Sequence, residues 1–448
     1  TCEMTYTLGI DIGTTSSKVV VVNENNELFC PQIITSHSYA NEADIVGVAQ
    51  YKEQSVGKIL SSLDRCMVGV KGHLGGNVER VHRIAICGQM HGCVLWEDCD
   101  ITNTSNLVTW QDARCNEEFI SSLPKSKHRI SSEGFGCATL FWLSRNTPNV
   151  LDKYDCCGTI SDYVVTMLCG GKPIMTSHNA YSWGYFDCDS GKWERETLTT
   201  GDFPTQLLPH VVTPGSIGGH LTQDWYGVKR DTPVLAAMGD LQCSVRSCDI
   251  GVTEAVINVS TSAQISKVSI LLYKRVKNVI LTASVTSLPY FDRHELLTSA
   301  SLNGGAVFAA YVTMMTSWTR QFAPDVTVDD VYARIINADE AETEMRFLPA
   351  LFGERHDPHL RAALNNIGHC DVTIGSIGRA ICRGIVQNLR DMFGVCGDDV
   401  TRIYVCGGAF NRNQLLRHEA AIVFSDKDLC FDKNCDAAYG ATMVDVTS

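Results

Sequence analysis

The sequence predicts an α/β protein in two related halves, each with mixed β-sheets flanked by helices, and three observations carry this. Apolar, β-branched runs of strand length alternate with segments of helical periodicity along the whole chain. A strand running into a turn of small residues occurs early, centrally and late, without a tandem period, which argues for two halves and against a solenoid. The length, 448 residues, exceeds what one compact core organises and fits two medium domains.

The elements follow in order. Residues 7–23, TLGIDIGTTSSKVVVVN, read as strand, tight turn and strand, and residues 23–26 as the next turn. Val56, Ile59, Leu60 and Leu63 share one face of a helix. A buried-strand pattern ends abruptly at residues 84–92, IAICGQMHG. The opening theme returns at residues 233–240, PVLAAMGD, where a strand runs into a Gly-Asp turn. Residues 254–264, EAVINVSTSAQ, form a strand closing on hydroxyl-rich residues. Residues 402–413, RIYVCGGAFNRN, read as a strand, a Gly-Gly turn and a helix start. The domain boundary is expected near residues 242–252, giving an N-terminal domain over 1–241 and a C-terminal domain over 242–448.

Composition narrows the function classes. Hydrophobic residues make up 44% and charged residues 19%, an ordinary globular balance. The net charge of −13 opposes non-specific nucleic-acid binding. A polyphosphate ligand would therefore be held by backbone amides, Mg²⁺ and a few placed cations. No apolar stretch reaches the roughly 20 residues that a membrane-spanning helix needs. The 20 cysteines include no Cys-x-x-Cys spacing, and many, such as Cys87 and Cys406, lie inside apolar runs. They read as small buried hydrophobes in a reducing compartment. With a strand beginning near Tyr6 and no signal peptide before it, a cytoplasmic protein is expected.

Four clusters carry candidate chemistry. Asp11, at a strand end, can orient Mg²⁺ through water. Gly13 lets the backbone approach a phosphate, while Thr14, Thr15 and Ser16 offer hydroxyl and amide donors. A plain hairpin turn would use the same residues, and the spacing is not that of a Walker A loop. Asp240 is a candidate base for phosphoryl transfer to a hydroxyl, although an Asp in this place also caps helices. Residues 260–262, STS, and Gly407, Gly408 and Ala409 end strands where phosphates or adenosine could rest. Gln89, Met90 and His91, with Trp110 and Asp112, combine polar groups and an aromatic wall suited to a sugar, though a lone His after a strand is often structural.

Taken in order, these segments resemble the FGGY carbohydrate kinases over nearly the whole chain. The matching stretches are residues 9–15, 89–92, 110–114, 239–240, 353–358 and the Gly407-Gly408 turn. Residues 134–139, 183–186, 239–242, 301–305 and 382–389 resemble the branch that phosphorylates sedoheptulose more than those acting on xylulose or glycerol. The resemblance implies two actin/hexokinase-like (ribonuclease H-like) domains around a central cleft, closing on substrate. It implies ATP and Mg²⁺, a small-molecule sugar partner and no nucleic acid or membrane, and it names no oligomeric state.

By position, the resemblance gives Asp11 to Mg²⁺, Thr14 and Thr15 to phosphate, and Met90, His91 and Asp240 to the sugar, with Asp240 as base. Thr261, Gly304, Gly305, Gly408 and either Asn411 or Asn413 would line the nucleotide site, and residues 353–355 would brace the C-terminal domain. Two positions depart from the family pattern. Leu241 follows Asp240 where many members carry Asn or Gln, so a sugar-hydroxyl contact is either missing or supplied from elsewhere, with Gln242 a candidate, and Thr139 stands where a Lys is usual. Segments around 265–290 and 390–400 are short for the family. The expected reaction is in-line phosphorylation of a ketose, foremost sedoheptulose. Xylulose, ribulose or glycerol as substrate, and a non-catalytic sugar sensor, stand as alternatives.

Overall fold

The computed structural model describes residues 4–29, 33–36, 51–128, 131–270, 283–338, 343–369, 372–431 and 435–447. Part of the segment expected to be short, 271–282, lies outside the described residues. Contacts divide the chain into two units, residues 1–247 with 436–448, and residues 248–435. The sequence-based division at 241/242 differs in one respect of substance: the last thirteen residues belong with the first unit.

In the first unit a seven-stranded sheet carries the fold. Strands β1 (Tyr6–Ile12) and β2 (Ser16–Asn23) form the expected hairpin, and β3 (Ile33–Ser36) extends it. On the other side β4 (Val81–Gly88) runs parallel to β1, followed by β6 (Pro233–Leu235) and the edge strand β5 (Ile217–His220). The two-residue strand β7 (Met238–Gly239) pairs with the end of β4. Leu8, Ile10 and Ile12 alternate into the core on one face of β1. On the other face Gly9 lets the C-terminal helix, Ala437–Thr442, lie directly on the strand: a Cβ there would meet the Ala438 carbonyl oxygen at 2.2 Å. Helix α1 (Val56–Leu74) buries Val56, Ile59, Leu63, Met67 and Val70 against the sheet, and the Ser55 hydroxyl caps it by accepting from the Lys58 N–H.

The second unit repeats this plan on a six-stranded sheet. Strands β8 (Glu254–Val259) and β9 (Ala263–Ser269) form a hairpin, with β10 (Thr286–Pro289) and β11 (Glu295–Ser301) continuing antiparallel beyond β9. Strand β12 (Arg402–Cys406) runs parallel to β8 on its other side, and β13 (Asp428–Cys430) runs parallel to β12. Helices α2 (Gly305–Thr319) and α3 (Ile374–Phe393) contribute Val307, Phe308, Ile381, Ile385 and Leu389 to its core. Among the described residues no helix is long and apolar enough to cross a membrane.

Most described cysteines are free thiols, and many of these are buried. Cys406 corrects the expectation of uniformly unpaired thiols: it is joined to Cys435.

Candidate functional site

Strand register brings the two candidate carboxylates of the first unit together. Asp11 pairs with Cys87 across β1 and β4, while Met238 and Gly239 of β7 pair with Cys87 and Gly88. The ends of three neighbouring parallel strands therefore carry Asp11, Cys87 and, one residue past Gly239, Asp240. The Leu241 N–H donates to the Asp240 carboxylate at 2.7 Å, fixing that side chain at the start of the helix Asp240–Arg246.

Both carboxylates keep some solvent exposure but are densely enclosed. Burial, the neighbouring Asp240 charge and Asp436 push Asp11 up to about 7, against the pull of Lys18 and a thiol contact from Cys87 at 3.9 Å. Burial pushes Asp240 up to about 6, opposed by backbone hydrogen bonds. Lys18 Nζ lies 3.3 Å from the Asp436 carboxylate, which also caps the C-terminal helix. Sequence reading missed Lys18 and Asp436. Their pairing spans 418 residues and follows from the return of the chain end, which no local pattern signals.

The turn after Asp11 is braced from several sides. The Gly13 N–H closes the hairpin onto the Ser16 carbonyl at 3.0 Å. Trp110 Nε1 donates to the Thr14 hydroxyl at 3.0 Å and Gln54 Nε2 to the Thr14 carbonyl at 2.8 Å. Thr15 is exposed at the tip. Gln89 donates from its backbone to the Ile12 carbonyl, and from its side chain to Gly13 and Gln54. It acts on the turn, which differs from the sugar contact expected of it. Gln54, another brace, was not singled out because Gln in an ordinary strand carries no signal.

Of the next two candidates, Met90 lies against the residue that precedes Asp240. Met90 packs on Gly239, where a Cβ would meet its sulfur at 2.7 Å. His91 adopts a left-handed φ of 71° and stacks on Phe135, with ring centroids 4.7 Å apart. Its Nδ1 lies 2.8 Å from the Ser182 carbonyl oxygen, which can only accept. Nδ1 therefore carries the proton, and in the neutral ring Nε2 is the acceptor.

Two expected sugar contacts are corrected. Asp112 is 1% exposed, and its carboxylate accepts from Arg114 Nε at 2.8 Å, Arg114 Nη2 at 2.9 Å and the Lys52 N–H at 2.7 Å. Arg114 in turn pairs with Glu53 and lies over the Tyr51 ring at 4.3 Å. This is a buried ion-pair network, so Asp112 is committed to holding the fold. Gln242 is 0% exposed and packs beneath Gly239.

In the second unit the candidate nucleotide residues converge on one strand end. The Gly305 N–H donates to the Ser260 carbonyl at 2.7 Å and the Ala306 N–H to the Thr261 carbonyl at 3.1 Å. Cβ atoms at Gly304 and Gly305 would meet the Ser262 and Ser260 carbonyl oxygens at 2.3 and 2.5 Å, so only glycine permits this approach. Gly407 turns the chain out of β12 at φ 107°, and Gly408 opens a short helix beside Gly305. Of the two asparagines, Asn411 is exposed, whereas Asn413 is buried and caps the helix Gln414–Val423 through the Leu416 N–H at 3.0 Å. Asn413 is thus a structural cap.

Glu354, at 1% exposure, accepts from Ser301 at 2.6 Å and from Asn303 and Asn388 at 3.0 Å each. It ties the end of β11, just before Gly304, to α3. This is the bracing role expected of residues 353–355.

Residues 6–246 match the N-terminal domain of the FGGY family of carbohydrate kinases. Sedoheptulokinases of Mus musculus and Homo sapiens are each 38% identical to this chain, covering 98% of it and 96% of their own length. A xylulose kinase of Bacillus subtilis is 23% identical, covering 98% of this chain and 88% of its own. Among solved structures, the xylulose kinase of Rhodospirillum rubrum has the same fold, with a TM-score of 0.81 at 16% identity over 98% of this chain and 89% of that one.

Proposed function

Because the chain belongs to the FGGY family of carbohydrate kinases, we propose that it transfers the γ-phosphoryl group of ATP to the terminal hydroxyl of sedoheptulose, giving sedoheptulose 7-phosphate. The substrate rests on the 38% identity to sedoheptulokinases over nearly complete lengths, against 23% for the xylulose kinase. The chemistry rests on one observation: Asp11 and Asp240 lie at the same ends of the two strands that flank β4 in a single sheet.

Asp240 accepts the proton of the attacking hydroxyl. Raised to about 6, it is ionised at neutral pH yet basic enough to share that proton as the new P–O bond forms. Met90 and Trp110 offer the sugar apolar faces, and His91 Nε2 accepts from one of its hydroxyls. The donors of Thr14 and Thr15 receive the transferred phosphoryl group, and Gly13 lets the backbone approach it closely. In the second unit Thr261, Gly304, Gly305, Gly408 and the exposed Asn411 hold the nucleotide, with close backbone approach secured by the glycines.

The donor set fits a hard divalent cation. Asp11 has Asp240 and Asp436 as charged neighbours, and these raise its pKa beyond the effect of burial, a crowding of carboxylate oxygens that Mg²⁺ would relieve. Asp11 would hold the ion through water, and the ion would neutralise charge on the phosphates.

Phosphorus NMR and mass spectrometry of the product from sedoheptulose and MgATP test the reading. A phosphomonoester on the terminal carbon is expected. Inorganic phosphate alone, or a phosphate on another carbon, would refute it.

A further inference from the structure

Three cysteines outside this site meet where the chain passes between its two units. The first unit gives way after Ser247 and resumes at Asp436, so Cys248 and Cys435 are the first and last residues of the second. Their sulfurs are 2.8 Å apart. Cys435 is also joined to Cys406 at the end of β12, with the two Cα atoms 5.9 Å apart. All three sulfurs lie within 4.8 Å of one another, the one group of three His, Cys, Asp or Glu ligand atoms so gathered among the described residues. Cys248 and Cys406 are buried, and Cys435 is partly exposed.

We propose that Cys248, Cys406 and Cys435 form a thiol–disulfide exchange site in which Cys435 bonds alternately to Cys406 and to Cys248. The Cys248 thiolate attacks the Cys435 sulfur. The Cys248–Cys435 bond forms, the Cys406–Cys435 bond breaks, and the electron pair leaves on Cys406, which takes up the proton that Cys248 lost. The exchange involves no net oxidation. A small thiol such as glutathione, entering at the partly exposed Cys435, reduces either bridge to two thiols and is itself oxidised to its disulfide.

The two bridged states hold different things. Cys406 leads directly into the Gly407-Gly408 turn, and Cys435 directly precedes Asp436. The Asp436 N–H donates to the Ser247 hydroxyl at 3.0 Å, and its carboxylate pairs with Lys18 and raises Asp11. One bridge ties the strand under the glycine turn to the residue before Asp436, and the other ties together the two chain passages. A zinc site on the same thiolates is the less fitting use. Tetrahedral ligation at Zn–S distances of about 2.3 Å separates the sulfurs by roughly 3.8 Å, well beyond the 2.8 Å between Cys248 and Cys435.

Trypsin separates the three cysteines into peptides 247–267, 403–412 and 434–448, so the bridges can be mapped directly. The full chain is equilibrated with reduced and oxidised glutathione, quenched by alkylation, digested and analysed without reduction. Wild type is expected to yield peptide 434–448 linked to each of the other two. C406S retains only the link to 247–267, C248S only the link to 403–412, and C435S loses both. A single bridge in wild type and no link to 247–267 in C406S would overturn the proposal. So would stoichiometric zinc in the purified wild-type chain with all three thiols protected from alkylation until chelation.

Discussion

In the proposed reaction Asp240 and Asp11 would face opposite demands, since a base must be free to take a proton while a cation ligand must stay charged. Replacing Asp240 with Asn should reduce turnover by about two to four orders of magnitude with ATP affinity nearly unchanged, measured by steady-state kinetics and titration calorimetry. With Asp240 raised to about 6, kcat/KM should fall as pH drops through that value, because the protonated carboxyl cannot accept the hydroxyl proton. Stability carries the opposite sign. A carboxyl whose pKa is raised to about 7 on folding favours the folded state at low pH, and that contribution is lost as pH rises through 7. Asp11→Asn should therefore stabilise the ligand-free protein at pH 8 by on the order of 1–2 kcal/mol, discounted for partial exposure, with an advantage that shrinks toward pH 5 in thermal unfolding. Residue type and position single out Asp11, Asp240, Met90 and His91 in the sequence, and strand register gathers Asp11 and Asp240 at one end of the first unit's sheet. Asp112, Gln89, Gln242 and Asn413 looked equally suitable in sequence, but their partners, Arg114, Gly13, Gly239 and Leu416, emerge only on folding.

At the scale of elements, the strand-and-turn theme was readable because each turn demands small residues that local sequence displays. Gly407 shows the demand directly. Its φ is 107°, and an added Cβ would meet the Val259 carbonyl oxygen at 2.3 Å and the Asn258 side-chain oxygen at 2.5 Å. Gly407→Ala should lower stability by about 2–4 kcal/mol, combining backbone strain with overpacking. Gly171 supplies the control: its φ is 83° but nothing lies within 4 Å of its Cβ position. Gly171→Ala should cost about 1 kcal/mol, from strain alone. Equal losses in thermal unfolding would remove close packing from the account of the glycine turn. The braces on these turns were less legible. Glu354 could be placed as a brace through its family position, but its bonds to Ser301, Asn303 and Asn388 depend on how β11 and α3 pack.

For the whole molecule, the decisive feature is the return of the chain end to the first unit. The C-terminal helix rests on Gly9. Gly440 sits where a Cβ would meet the Cys243 carbonyl oxygen at 1.8 Å, and Arg83 donates to the Thr442 and Val444 carbonyls. A fragment of residues 1–247 should consequently fail to fold alone and recover on addition of the peptide 436–448, read by circular dichroism and solubility. Sequence places the early boundary within residues 242–252, where the Asp240 turn passes into the next strand, and the contacts divide the units after Ser247. It could not reveal the return, since the destination of residues 436–448 is set by tertiary fit and no local pattern signals it. The central claim joins this fold to one reaction, and a coupled ADP-release assay with MgATP and sedoheptulose, beside xylulose, ribulose and glycerol, tests it most directly. The account predicts a clear preference in kcat/KM for sedoheptulose that Asp240→Asn abolishes, whereas activity on another sugar alone, or on none of the four, would contradict it.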